Sequence, residues 1–200
     1  MIDNTTSVHV EVLKWFEGKE RRDLNIGCGP HYAPGFLNLD VHRGDGNEPD
    51  VVVKPNATLP VPAGYLDRVY CGHVLEHVPW PELGEFLGDI RRALKPGGEL
   101  MVVGPDTVRT LNEWKANTEP WFMVEAVMEN DDAYMAGGES WPGARHSWNC
   151  YEARVVKALE VAGFVDVEPR SIQNEQVGDL RDWPVVAYSR WQFAVRAVNP

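Results

Sequence analysis

Two hundred residues, 44% hydrophobic and 24% charged, have the make-up of one ordinary globular domain, and a chain this long buries roughly 70% of its unfolded surface without needing a disulfide or metal. No window reaches the run of about 18 apolar residues that a membrane span requires, which excludes membrane-embedded and disordered chains. Acids outnumber bases 30 to 19 for a net charge of −11, so nucleic acid is not an expected partner.

The opening MIDNTTSVHVEVLKWFEG mixes acids with apolar residues and lacks the order of a secretory signal. Within it, Val8, Val12, Leu13, Trp15 and Phe16 recur at helical spacing. Buried strands are expected at Asp23 to Ile26, Phe36 to Asp40, Asp50 to Val53 and Leu66 to Cys71. Pro81 opens a helix with Leu83, Phe86, Leu87, Ile90 and Leu94 on one stripe, ended by Lys95 to Gly98. Glu99 to Val103 is a fifth strand. Asn149 and Glu152 read as a capping box for a helix that stops at Gly163, ahead of strands at Phe164 to Val167 and within Val185 to Val198. The alternation predicts an α/β fold with a largely parallel sheet, all 200 residues forming one domain.

The strand at Leu24 runs into the turn LNIGCGP, where Gly27 and Gly29 let the backbone approach a ligand with no Cβ in the way. Asp40 lies 13 residues beyond Gly27 at the end of the next strand, and a carboxylate there accepts both hydroxyls of a ribose. Cys28, Cys71 and Cys150 are odd in number, far apart and in no CxxC pattern, so neither a disulfide framework nor a zinc site is expected. No pair of histidines has metal-ligand spacing with a carboxylate either, so no metal is expected. A reducing cytoplasm is the expected location.

Four segments occur in order: LNIGCGP with Asp40, then DRVYCGHVLEHV from Asp67 to Val78, then LKPGGEL and LEVAGF. Together they resemble the class I S-adenosylmethionine-dependent methyltransferases, especially small bacterial-type members with HVLEH and LKPGG motifs. The resemblance covers about Asp23 to Val198. It implies a Rossmann-like seven-stranded sheet with an antiparallel last strand, helices on both faces, and S-adenosylmethionine across the C-terminal strand ends. By the same resemblance Asn25, Gly27, Cys28 and Gly29 form the turn under the methionine part, and Asp40 binds the ribose. Cys71, Gly72 and His73 then line the cofactor near the transferred methyl, and Asn56 is the nearest side chain to pair with adenine. Asn25 stands where an acid is common, Lys54 follows strand three where relatives carry an acid, and the short gap to Asp40 requires an abbreviated first crossover helix.

His146, in GARHSWN, matches a histidine that relatives carry before the helix preceding strand six; it and His73 are the candidate catalytic residues. Five of eight tryptophans, Trp80, Trp114, Trp121, Trp141 and Trp148, fall between strands four and six. By the resemblance, this stretch lies near the acceptor site, so residues 107–148 are expected to be an inserted cap or acceptor pocket, and their acids favour a neutral or cationic small-molecule or glycan-like acceptor. Two alternatives remain open: a non-catalytic subunit with the same fold, and a nicotinamide-dependent oxidoreductase, whose GxGxxG spacing His31 and Pro34 interrupt.

Overall fold

The computed structural model describes residues 4–44, 46–55, 57–115, 146–170, 183–184 and 192–200. Helix α1, Asn4–Phe16, precedes β1 (Asp23–Ile26), β2 (Leu37–Asp40), β3 (Val51–Val52) and β4 (Leu66–Gly72). A 3₁₀ turn at Leu75–His77 leads to α2 (Leu83–Ala93), β5 (Leu94–Pro105) and α3 (Thr107–Lys115). The described residues close with α4 (Glu152–Val161), β6 (Val165–Arg170) and β7 (Gln192–Val198). The seven strands form one sheet in the order β3-β2-β1-β4-β5-β7-β6, with β7 antiparallel to both neighbours and the other six parallel. This is the Rossmann-like architecture that the motif order implied.

Strand periodicity divides the interior. Leu24, Ile26, Leu37, Leu39, Val69, Cys71, Leu100, Val102 and Val195 enter one apolar cluster with Val12 and Phe16 of α1, Leu87 and Ile90 of α2, and Val155 and Leu159 of α4. The alternate residues Tyr70, Met101, Val103 and Ala194 pack in a second cluster with Ala33, Phe36 and Trp183. Arg68 shares that alternation on β4, opposite Asp23 of β1, and its Nη2 donates to Asp23 Oδ2 at 2.7 Å. Its guanidinium also lies over Phe36 and Trp183, 5.1 and 4.7 Å from their ring centres. Both side chains are buried, and Arg21 Nε also lies 2.6 Å from Asp23 Oδ2, so Arg68→Ala is expected to cost about 1 to 3 kcal/mol by removing the buried one of the carboxylate's two partners. Urea unfolding should show a lower midpoint at unchanged slope, and an unmoved midpoint would show that the pair contributes no net stability.

Several local features differ from the sequence expectations. No helix forms between β1 and β2; a crossover helix was expected there in abbreviated form, and turns replace it. Asn38 takes over the helix's role of satisfying backbone groups. Its Oδ1 accepts the Ala33 N–H at 2.7 Å, while its Nδ2 donates to Ala33 O and Phe36 O at 3.1 and 2.9 Å. Pro81 lies in a turn ahead of α2, whose first N–H, from Leu83, reaches Pro79 O. Strand β5 starts at Leu94 rather than Glu99, because Leu94 pairs with Leu66 and Asn199 Nδ2 donates to Leu94 O and Lys95 O. The Asn149 capping box does not form. Tyr151 is the N-cap of α4, without a side-chain cap bond, because the Thr107 N–H and hydroxyl both bond Cys150 O and hold the preceding residues extended. Helix α3 was not anticipated, although its cap is legible afterwards: Asp106 Oδ1 accepts the Arg109 N–H at 2.9 Å. No helix among the described residues is long and apolar enough to cross a membrane.

Candidate functional site

The strand order reverses direction between β1 and β4, so the loops leaving their C-terminal ends diverge and open a crevice. The glycine turn after β1 lies at this crevice with both glycines at positive φ, 62° for Gly27 and 50° for Gly29. Their surroundings differ. A Cβ on Gly27 would sit 2.4 Å from Val74 Cγ2, so Gly27 is required for packing against the loop after β4. A Cβ on Gly29 would meet nothing within 4 Å, which makes Gly29 the glycine with room for a ligand.

Asp40 joins this turn to β2. Its Oδ2 accepts the Gly29 N–H at 2.8 Å, and its Oδ1 accepts those of Val41 and His42 at 2.7 and 3.1 Å. Three of the roughly four lone-pair sites of the carboxylate are thus taken, and Oδ2 keeps one for a hydroxyl of a ligand. Asn25 is buried, and its Nδ2 donates to Asn38 Oδ1 at 2.9 Å and His31 O at 3.3 Å. Both amide hydrogens are thus spent bracing the crossover. Cys28 Sγ lies 3.6 Å from Asn47 Oδ1, and burial, reinforced by the Asp40 and Asp50 charges, pushes its thiol up to about 12. Cys71 points into the main core, where desolvation and then Glu76 keep it a thiol, so only its backbone borders the crevice. At Gly72 a Cβ would meet the Tyr70 hydroxyl at 2.5 Å. Asn56 lies outside the described residues; Lys54 is exposed in the turn just before it.

The HVLEH segment builds a polar cluster directly after β4. His73 takes a left-handed backbone, φ 56°, and its N–H donates to Val103 O at 2.8 Å. Its Nδ1 lies 3.1 Å from Glu76 Oε1 and its Nε2 lies 2.6 Å from Gln192 Nε2 of β7. With the amide donating to Nε2, the Nδ1 hydrogen goes to the carboxylate. Partial desolvation disfavours the His73 imidazolium, but the adjacent Glu76 carboxylate outweighs it and lifts the pKa above the ordinary histidine value. Glu76 is fully buried. Burial there favours the acid form, and the His73 hydrogen bond with the His73 and His77 charges overrides it, holding the carboxyl below its ordinary range.

His146 reaches this cluster because the next two residues fasten to the 3₁₀ turn. The Ser147 N–H donates to Glu76 O at 2.6 Å, its hydroxyl to His77 O at 3.1 Å, and Trp148 Nε1 to Leu75 O and Val78 O at 2.9 and 3.1 Å. The carbonyls of Glu76, His77 and Val78 thereby gain donors, and Leu75 O, which already accepts the Val78 N–H, gains a second. The rings of His77 and His146 then lie 5.0 Å apart, edge to face. Trp148 packs at 5.1 Å on Trp80, with Arg154 over both rings. An open groove of about 580 Å³ lies nearby, lined by Asp106, Val108, Arg109, Tyr151 and Glu152 among others. The proposed cap at 107–148 falls largely outside the described residues, with Trp121 and Trp141 among those left out; within them α3 begins it and His146 to Trp148 end it.

Glu76, Gln192 and Asn38 were not among the sequence candidates. Glu76 stands in the HVLEH motif and carried a signal; Gln192 and Asn38 act through contacts between strands that no local pattern announces.

Residues 24–102 match the family model described as a methyltransferase domain. No curated protein matches the sequence. Among solved structures, a SAM dependent methyltransferase from Archaeoglobus fulgidus is similar at TM-score 0.54 and 18% identity, over 97% of this chain and 94% of that one. A possible histamine N-methyltransferase from Thermotoga maritima is similar at TM-score 0.53 and 16% identity, over 98% and 89%. An S-adenosylmethionine dependent methyltransferase from Mesorhizobium loti is similar at TM-score 0.52 and 15% identity, over 96% and 97%. These likenesses establish a shared fold.

Proposed function

We propose that this chain, whose residues 24–102 match the methyltransferase-domain family, is a class I S-adenosylmethionine-dependent methyltransferase that transfers a methyl group by in-line displacement to a small-molecule or glycan-like acceptor. The observation that carries this reading is the convergence of the Gly29 backbone and the Asp40 carboxylate at the β1/β4 crevice, with open space beside Gly29. Those residues fit the cofactor: Asp40 takes a ribose hydroxyl, Gly29 and the backbones of Cys28, Cys71 and Gly72 border its methionine part, and Gly27 and Asn25 hold the turn in shape. The proposed adenine contact falls to Asn56.

When bound, S-adenosylmethionine supplies a methyl group on a sulfonium, an electrophile with a good leaving group. The chain's own contribution is positioning and exclusion of water. His73 is held at the strand end by Glu76 and Gln192, so an acceptor that takes its Nε2 lone pair must displace the Gln192 amide. His146 faces the acceptor from the other wall, to orient it or to take its proton when the accepting atom is protonated at working pH. The acids Glu125, Glu129, Asp131, Asp132 and Glu139 favour a neutral or cationic acceptor. Three buried cysteines with free thiols suit a reducing compartment such as the cytoplasm.

Calorimetry tests the reading. One equivalent of S-adenosylmethionine and of S-adenosylhomocysteine should bind, and nicotinamide dinucleotides should not. Binding of a nicotinamide cofactor alone would overturn the proposal in favour of an oxidoreductase. Binding of S-adenosylhomocysteine with no turnover on any acceptor panel would favour a non-catalytic subunit.

A further inference from the structure

We propose that Glu76, His77 and His146 form a binding site for one divalent first-row transition-metal ion, of the zinc, cobalt or manganese type. The spacing of these residues in the sequence shows no ligand pattern, and no metal was expected from it. The fold supplies what the spacing lacks. Each residue offers one ligand atom, and the three atoms lie within 4.8 Å of one another. A metal with bonds of about 2.0 to 2.2 Å to nitrogen and oxygen needs its ligands slightly closer than that, a change within reach of imidazole rotation.

A second observation points to a cation independently of the clustering. Glu76 is 0% exposed, and although its Oε1 is satisfied by His73, its Oε2 is buried with no hydrogen-bond partner. An anionic oxygen without a partner away from water is costly, and native structures rarely leave one so. A cation held with the two imidazoles supplies the missing partner.

The surroundings are those of a built site. His73 orients the Glu76 carboxylate through Oε1 and is itself held by Gln192, the kind of outer support that fixes metal-ligating carboxylates. The four hydrogen bonds from Ser147 and Trp148 to the turn at 75–78 lock the relative positions of the three ligands. His77 and His146 are only partly buried, which leaves an entry path. Two imidazoles and one carboxylate suit zinc, cobalt or manganese better than magnesium or calcium, which prefer oxygen-only sets. Three protein ligands leave at least one coordination position open, the arrangement of reactive rather than purely structural sites. On the methyltransferase reading, and resting on it, that position takes an oxygen of the acceptor, and with the ion bound His146 orients the acceptor through it rather than taking its proton.

The test uses untagged, chelator-stripped protein, titrated with Zn²⁺ by calorimetry and with Co²⁺ by visible absorption. The expected result is one equivalent of Zn²⁺ bound with a Kd below about 10 µM, and Co²⁺ d–d bands that saturate at one equivalent. His77→Ala and His146→Ala should each weaken Zn²⁺ by well over 100-fold, beyond the roughly 10- to 100-fold range for loss of an outer-sphere partner. His9→Ala, on α1, should bind as the parent does. Glu76→Gln keeps the shape and removes the charge; if it fails to fold, the two histidine variants carry the test. Absence of stoichiometric Zn²⁺ and Co²⁺ binding, or parental affinity in His77→Ala and His146→Ala, would overturn the site. Parallel titration with S-adenosylhomocysteine separates the two proposals: a protein that binds the nucleoside and no metal loses only the metal site, and the reverse result loses only the methyltransferase reading.

Discussion

Asp40→Ala is expected to lose most of the affinity for S-adenosylhomocysteine and to melt at a lower temperature than the parent. The two losses share one origin. The carboxylate accepts three backbone N–H groups, from Gly29, Val41 and His42, so it fixes the glycine turn against the end of β2 before any ligand arrives. Hydrogen bonds to a charged group contribute about 1.5 to 3 kcal/mol each, less where water replaces them, which places the expected stability loss at about 3 kcal/mol. Loss of the hydroxyl-to-carboxylate hydrogen bond to the ligand adds about 1.5 to 3 kcal/mol of binding energy, roughly a 10- to 100-fold rise in Kd. Asp40→Asn separates the effects. Its amide oxygen can still accept the Val41 and His42 N–H groups, so melting should recover more than affinity does, because the ribose hydroxyl then meets an N–H₂ donor. An Asp40→Ala protein that is folded and binds S-adenosylhomocysteine as the parent does would show that the ribose is held elsewhere.

Asp40 was readable from the sequence because it ends a short strand one loop beyond the glycine turn. The turn at LNIGCGP and the strand ending at Asp40 are adjacent in the chain, and their pairing, Ile26 opposite Leu39, follows from two short apolar strands separated by one loop. Asp23 to Ile26 was placed to the residue for the same reason: four buried residues bounded by charge and glycine leave little choice of register. The start of β5 was misplaced because Lys95, Pro96 and Gly97 carry no apolar signal. Their extended path is imposed by Asn199 at the far end of the chain, through Gly97 N–H to Asn199 O and the Asn199 amide to Leu94 and Lys95. The histidine cluster shows the same limit at the site. HVLEH is a local motif, but the meeting of His77 with His146 depends on an indole and a serine finding the carbonyls of a 3₁₀ turn, and no periodicity encodes that encounter.

The two glycines of the turn are expected to respond to substitution in opposite ways. Gly27→Val should act first on stability. A left-handed backbone costs an L residue about 1 to 2 kcal/mol, and a β-branched one more. The added Cβ would also meet Val74 Cγ2 at 2.4 Å, and relieving such overpacking costs about 1 to 3 kcal/mol. The sum, about 2 to 5 kcal/mol, corresponds to a fall in Tm of roughly 5 to 15 °C for a domain of this size. Because Val74 immediately follows His73, a variant that folds by pushing Val74 aside displaces the cluster after β4, and S-adenosylhomocysteine affinity falls as a consequence of that shift. Gly29→Ala should behave differently. Its φ of 50° is strained for alanine, but a Cβ there meets no atom within 4 Å, so the stability loss should stay near 1 kcal/mol, a few degrees in Tm. Its methyl group instead occupies the space proposed for the cofactor, and affinity should drop at least tenfold in a protein that is otherwise intact. Differential scanning calorimetry beside binding titrations of both variants decides the matter. A Gly29→Ala protein with parental affinity would remove the cofactor from this turn, whatever Gly27→Val does, since only at Gly29 does the structure leave the side of the turn open for a ligand.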